Sequence, residues 1–338
     1  MKRHANIPVF IPHMGCPNQC IFCNQRIISG VREFSAAEVI PIIDEALSTL
    51  DENTEAEIAF FGGSFTGIER TLMTELLEIA SKYKKSGKVV GIRCSTRPDY
   101  IDGEILDILE KYGVGVIELG LQSSSDEVLA LTKRGHSFEA EINAARLITE
   151  RGFTLIGQMM IGLPGSTLES ELKTADFIIS SGAFGARIYP TVVFRDTELA
   201  TLTKKGLYMP LSLDEAVFRA AEVMKKFIFA GVKIIRVGLQ ASENLSSEDT
   251  YLAGPNHAAL GELCENEIYY SLIKEKLKEK NITSGKCPKV LIPPRTTSKA
   301  VGQKKKNKLR LINEFSLKDI IFAESECLSD YEVSIICT

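Results

Sequence analysis

Short apolar, β-prone runs alternate with amphipathic stretches through the first two thirds of this 338-residue chain, and that rhythm constrains its fold most. The strand candidates are residues 7–12, 57–63, 88–95, 114–121, 153–162 and 185–193, and helical patterns fill 36–50, 70–85, 101–112, 126–151 and 168–181. Strands that read as continuous apolar runs and alternate with helices pair in parallel and are covered by those helices. Six such units predict an α/β architecture, a partial (β/α)6 barrel, with functional residues at the C-terminal ends of the strands. Ser35 with Glu38 and Ser166 with Glu169 fit Ser-x-x-Glu capping boxes before apolar runs. From about 194 the rhythm changes: a loop leads to a helix opened by Ser212 and Glu215, then to a strand-like run at 232–240 and a helix near 258–279.

Composition limits the class. Apolar residues make up 44% of the chain and charged residues 25%, as in a folded soluble protein rather than a disordered one. No run of eighteen apolar residues suggests a membrane helix, and the start, broken by Pro8 and Pro12, does not read as a signal peptide. The expectation is a cytoplasmic protein with no membrane partner. The net charge of −4 conceals a basic island. Residues 281–310 carry nine Lys or Arg and no acid, which leaves a net −13 on the rest. Such an island points to nucleic acid.

Eight cysteines are too few for a disulfide scaffold, yet Cys16, Cys20 and Cys23 crowd into one loop after the first strand. Two metal chemistries compete for that loop. His13 with the three thiols offers four ligands to a structural zinc. The Cys-x3-Cys-x2-Cys run alone offers three thiolates to a four-iron cluster, which leaves one iron open. Cys94, in an apolar strand, reads as a small hydrophobe.

The surroundings favour the cluster. Phe22 precedes the third cysteine, the second strand ends in Gly62-Gly63-Ser64, and the fifth ends in Gly162-Leu163-Pro164-Gly165. In that order these features resemble the radical S-adenosylmethionine (SAM) superfamily, whose signature is Cys-x3-Cys-x-aromatic-Cys after strand one of a partial barrel. The segments 95–100 (STRPDY), 118–124 (ELGLQSS), 132–136 (TKRGH), 162–166 (GLPGS) and 187–199 further resemble the catalytic subunit of the Elongator complex, and more loosely the oxygen-independent coproporphyrinogen oxidases. The likeness covers roughly residues 7–270. It departs from the Elongator subunit in cysteine spacing and in lacking the acetyltransferase domain that follows there, so carboxymethylation of wobble uridine is not carried over.

What the resemblance implies is specific. Cys16, Cys20 and Cys23 would bind a 4Fe-4S cluster whose open iron takes SAM. Gly62, Gly63, Ser64, Ser95, Thr96, Arg97, Glu118, Met159 and Gly162 would surround SAM. Gln122, Arg134, His136, Tyr189 and Arg195 would face the substrate, the first four as catalytic candidates. An electron donor such as a flavodoxin or ferredoxin would be needed. The last segment reads as strand, helix, tight loop, helix, strand and resembles a KH RNA-binding unit, with its Gly-x-x-Gly loop altered to Gly302-Gln303-Lys304-Lys305. Gly302, Lys304, Lys305, Lys306, Lys308 and Arg310 would meet RNA. The expected organisation is thus a radical SAM barrel at 1–200, an extension at 201–280 and a KH-like α+β unit at 281–338. The expected function is hydrogen abstraction from an RNA, most simply tRNA. The alternatives are a porphyrin-like or other small molecule, a protein substrate, or a non-catalytic zinc protein that binds RNA.

Overall fold

The computed structural model describes residues 3–11, 16, 20–24, 35–51, 53–239, 249–282 and 284–336. His13 and Cys337 lie outside them, so the zinc set that needs His13 has no described geometry.

Strands β1 (Arg3–Ile11), β2 (Thr54–Gly62), β3 (Gly91–Thr96), β4 (Val116–Gln122), β5 (Thr154–Ile161), β6 (Gly185–Pro190) and β8 (Lys233–Val237) form one parallel half-barrel sheet in that order. The expected barrel strands are all present, and β8 adds a seventh. Its Arg236 aligns with Arg187 after a bulge, so the strand-like run assigned to the extension belongs to this sheet. The stretch 185–193 is not one strand: β6 ends at Pro190, and β7 (Val193–Phe194) pairs antiparallel with β9 (Tyr251–Ala253).

Register fixes the two faces of the sheet. Ile58, Ile92, Cys94, Ile117, Leu119, Leu155, Gly157, Ala186 and Ile188 fall on one face through successive pairings. That face is buried and meets the helices: a Cβ on Gly157 would press on Ile178 of helix Leu168–Ser180. The inner face carries Glu57, Arg93, Ser95, Glu118, Gln158, Arg187 and Tyr189, a polar lining rare in a parallel sheet.

Three local expectations are corrected. Ser35 makes no side-chain cap bond: residues 36–38 form a 3-10 turn, and the Glu38 N–H donates to the Ser35 backbone carbonyl instead (3.1 Å). At the later helix the cap is Thr167, boxed with Ser170, one residue beyond Ser166 and Glu169. The pattern at 126–151 is two helices, Asp126–Leu131 and Phe138–Glu150. Lys133 and Gly135 take positive φ values of 53° and 78°, and Ser137 caps the second helix. The box at Ser212 and Glu215 forms as expected.

The chain divides into two units, Met1–Leu211 with Lys226–Asn256, and Ser212–Lys225 with His257–Thr338. The expected boundary at 281 falls inside the second. There helix Leu260–Glu279 shares one core with β10 (Lys289–Ile292), β11 (Ile321–Glu324) and β12 (Ser334–Ile336) through Tyr269, Ile273, Leu277, Ile292, Leu311 and Ile335. The three strands order β11-β10-β12, with β10 parallel to β11 and antiparallel to β12. Helices Thr297–Val301 and Lys306–Phe315 lie between β10 and β11, as the sequence pattern predicts.

Candidate functional site

The cysteine turn is pinned from two sides. Ile21 N–H donates to the Thr132 carbonyl (3.2 Å), and Leu199 N–H donates to the Ile21 carbonyl (2.8 Å). Phe22 packs partly buried beside Ile21, Val193 and Leu199. Cys23 N–H closes the turn on the Cys20 carbonyl at 2.9 Å. Cys20 is buried, Cys16 and Cys23 half-buried, and none of the three is joined in a disulfide. Burial pushes the Cys16 thiol above its ordinary range, and Arg97 and Arg134 pull it back.

Those two arginines belong to the strand ends. Arg134 Nη1 donates to Cys20 Sγ at 3.4 Å and Nη2 to the Gly120 carbonyl at 2.6 Å. Arg97 clasps Asp99 through Nε (2.8 Å) and Nη2 (2.9 Å), and Nη2 also reaches the Arg134 carbonyl at 2.5 Å. Both residues are buried, yet Arg97 Nη1 and Arg134 Nε have no protein acceptor. Among the described residues no three His, Cys, Asp or Glu side chains close a metal site by themselves. The loop nevertheless combines three undisulfided thiols with two buried cations that keep N–H groups to spare. That donor set suits an anionic, thiolate-bound metal group.

The second strand delivers a close approach. Gly62 has φ +113°, and a Cβ there would lie 2.0 Å from the Ile11 carbonyl oxygen, so only glycine fits. Gly63 N–H leans on that same oxygen at 3.4 Å. Ser64 turns inward, away from solvent: its hydroxyl accepts from Arg97 N–H (3.2 Å) and pairs with Thr96 Oγ1 (2.8 Å), which also meets Thr66 (2.5 Å). Ser64 and Thr96 therefore knit the ends of β2 and β3.

On the inner face Glu118 is the hub. Its carboxylate accepts from Arg93 Nη1 (3.1 Å), Arg187 Nε (2.7 Å) and Nη2 (3.1 Å), and Gln158 Nε2 (3.1 Å). Gln158 also donates to Ser95 Oγ at 3.1 Å, and Arg93 donates to Glu57 through Nε at 2.8 Å. Tyr189 lines the same face, its hydroxyl held above the ordinary range by burial and partly relieved by Arg187. Gln122, at the bulged end of β4, has φ +75°, a rare strain for a side-chain-bearing residue and one concentrated at functional sites. Met159 aligns with Ile188 on the helix-covered face and is fully buried. Ile156, Gln158 and Met160, not Met159, share the inner-face register on β5.

Gly162 is tied by its N–H to Glu171 Oε1 (2.7 Å) and by its carbonyl to the Tyr208 hydroxyl (2.6 Å). His136 is buried against Glu141 (Nε2 to Oε1, 2.9 Å) and 3.7 Å from Asp99, which makes it a neighbour of the arginine pair. Arg195 is half-buried, its N–H donated to the Thr250 carbonyl. Sequence reasoning missed Arg93, Gln158 and Arg187. Each is a polar residue inside an apolar strand at the inner-face register, and that parity was the available signal.

In the second unit the expected RNA contacts separate. Arg310 grips Glu267 (2.5 Å) and stacks 3.6 Å over Tyr270, Lys308 pairs with Asp319 (2.9 Å) and Lys306 with Asp214 (3.0 Å). Lys304 and Lys305 stand exposed in left-handed backbone with no ion pair among the described residues. Asn307, buried, donates to the Asn266 carbonyl (2.7 Å) and presses on Gly302, whose φ of +77° and missing Cβ let the loop close.

Comparison with known proteins agrees with this geometry. The Radical SAM superfamily model matches residues 10–178, and the Radical_SAM C-terminal domain model matches 184–270. The chain is 31% identical over 231 residues to an uncharacterised protein of Methanocaldococcus jannaschii, covering 64% of this chain and 70% of that one. It is 34% identical over 160 residues to the tRNA uridine(34) acetyltransferase of Methanocaldococcus infernus, covering 45% of this chain but only 30% of that protein. The solved structure of archaeal Methanocaldococcus infernus Elp3 superposes with a TM-score of 0.60 at 23% identity, over 83% of this chain and 64% of that one. With a family model across half its length and the signature loop at the end of the first of its parallel strands, the chain belongs to the radical SAM superfamily, enzymes that work with a 4Fe-4S cluster and SAM.

Proposed function

We propose that this radical SAM enzyme acts on an RNA, in the first place tRNA, through hydrogen abstraction. The observation that carries the reading is the Gly302–Lys305 loop, whose two exposed lysines have no carboxylate partner among the described residues, while their basic neighbours are committed to Asp214, Asp319 and Glu267. Lysines held free in this way attract phosphate by counterion release. The likeness to a tRNA uridine(34) acetyltransferase supports the same substrate class.

The site's chemistry supports the following residue roles. Cys16, Cys20 and Cys23 would hold the cluster, with Arg97 and Arg134 offsetting the charge of their thiolates. The backbone at Gly62 and Gly63, open because Gly62 has no Cβ, would admit the polar end of SAM. When bound, these groups supply one-electron reductive cleavage of SAM to a 5′-deoxyadenosyl radical. The lining of Glu118, Arg93, Arg187 and Gln158 offers polar partners on the inner face of the sheet. Gln122, Tyr189 and Arg195 would face the substrate.

The test is anaerobic incubation of the reconstituted enzyme with whole-cell tRNA and SAM, followed by nucleoside mass spectrometry. The expected result is a new nucleoside mass that requires SAM. Lys304→Glu with Lys305→Glu should weaken tRNA binding at low salt by about tenfold and reduce the salt slope by about 2. An unchanged tRNA digest together with unchanged affinity in the double variant would overturn the RNA reading and return a small-molecule substrate to first place.

A further inference from the structure

Arg134 is over-determined for a residue that merely fills space. Its N–H bonds to the Leu129 carbonyl (2.9 Å), its carbonyl accepts from Arg97 (2.5 Å), and its Nη2 is fixed on the Gly120 carbonyl (2.6 Å). The first two ties fix its backbone and the third its guanidinium, whose Nη1 meets Cys20 Sγ at 3.4 Å. Arg97 stands behind it, oriented by Asp99, with its own Nη1 buried and unpartnered. A neutral thiol is a poor acceptor for two buried cations. Buried donors without acceptors are costly and point to a missing partner. A negatively charged thiolate group would satisfy both.

We propose that Arg134, backed by Arg97, is a positioning and charge-compensating pair that sets the reduction potential of the cluster. The inference rests on the reading that Cys16, Cys20 and Cys23 hold it. One-electron reduction, whether by a protein donor or by dithionite, adds one negative charge and breaks no bond. A fixed N–H donor at a ligating sulfur and a buried cation within Coulombic range both favour the more negative state. They raise the potential and make the cluster easier to reduce. Arg134 is thereby moved from the substrate side, where its place in TKRGH put it, to the cofactor side.

The measurement is a potentiometric titration of reconstituted enzyme followed by electron paramagnetic resonance, for wild type, Arg134→Gln, Arg134→Lys and Arg97→Gln at matched iron and sulfide content. Arg134→Gln keeps amide donors and loses the charge. At a fixed solution poise its reduced-to-oxidised ratio should fall about tenfold, a shift of about 59 mV for a one-electron couple. Arg134→Lys should stay within about threefold of wild type, because the charge is kept. Arg97→Gln should shift in the same direction as Arg134→Gln, and it decides the matter if the latter does not fold. Wild-type potential in both glutamine variants overturns the proposal, as does a lysine variant that falls as far as the glutamine one. Wild-type protein that yields no iron–sulfur signal on reduction fails the cluster reading itself, so the two failures are distinguishable.

Discussion

Glu118 spends both carboxylate oxygens on two guanidinium groups and an amide, with none of its surface exposed. Removing one member of such a set leaves uncompensated buried charge, so Glu118→Ala should lower the unfolding free energy by about 3–5 kcal/mol, read by urea denaturation. Gly62→Ala tests the other tight point: with a Cβ 2.0 Å from a carbonyl oxygen and φ +113°, the variant should lose about 1–3 kcal/mol, read by thermal unfolding. His136 sets a pH dependence. Burial, with the Arg134 cation adding to it, holds the imidazole well below its ordinary range. The unfolded chain takes up that proton near pH 6.5 and the folded chain does not, so the group costs stability as pH falls below about 6.5, at up to about 1.4 kcal/mol per unit. Glu141 has the opposite sign, since burial raises its pKa and stability falls as pH rises above about 4.5. His136→Gln should therefore lose less stability than wild type between pH 7 and pH 5, measured by urea midpoints on the cluster-free chain. An equal loss in both would contradict a neutral buried imidazole.

At the scale of elements, the backbone of the loop before helix Lys306–Phe315 makes its own prediction. Lys304 and Lys305 sit at φ +51° and +64°, where a side chain is strained. Replacing either with glycine should raise unfolding stability by up to about 1 kcal/mol while weakening RNA binding. Most of the strands were legible in the sequence because alternation and apolar runs act over a few residues. The break at Thr132–Ser137 was passed over because the amphipathic pattern resumes on both sides of it, although the six residues TKRGHS contain no apolar side chain. Gly135 and the cap at Ser137 also marked the interruption, and it is there that Arg134 and His136 take their places. The seventh strand was visible as a run but not as a member of the sheet, since pairing with β6 through a bulge is a long-range outcome.

Across the whole molecule, the sheet turns an apolar face to its helices and a charged one inward, and the signature cysteines follow its first strand. The cysteine run and the glycine turns were readable because their spacing is local. The Glu118 hub draws on β3, β4, β5 and β6 and needed the fold to assemble. In the basic segment charge was legible but freedom was not: Lys306, Lys308 and Arg310 look like Lys304 and Lys305 in sequence but have carboxylates beside them. The central claim is radical SAM chemistry at the cysteine loop. Its most direct test mixes anaerobically reconstituted protein with SAM and dithionite and quantifies 5′-deoxyadenosine by mass spectrometry, beside a Cys20→Ala control. Product from the wild type that vanishes in the control is the expected result. No product from protein that carries zinc, without iron or sulfide, would contradict it.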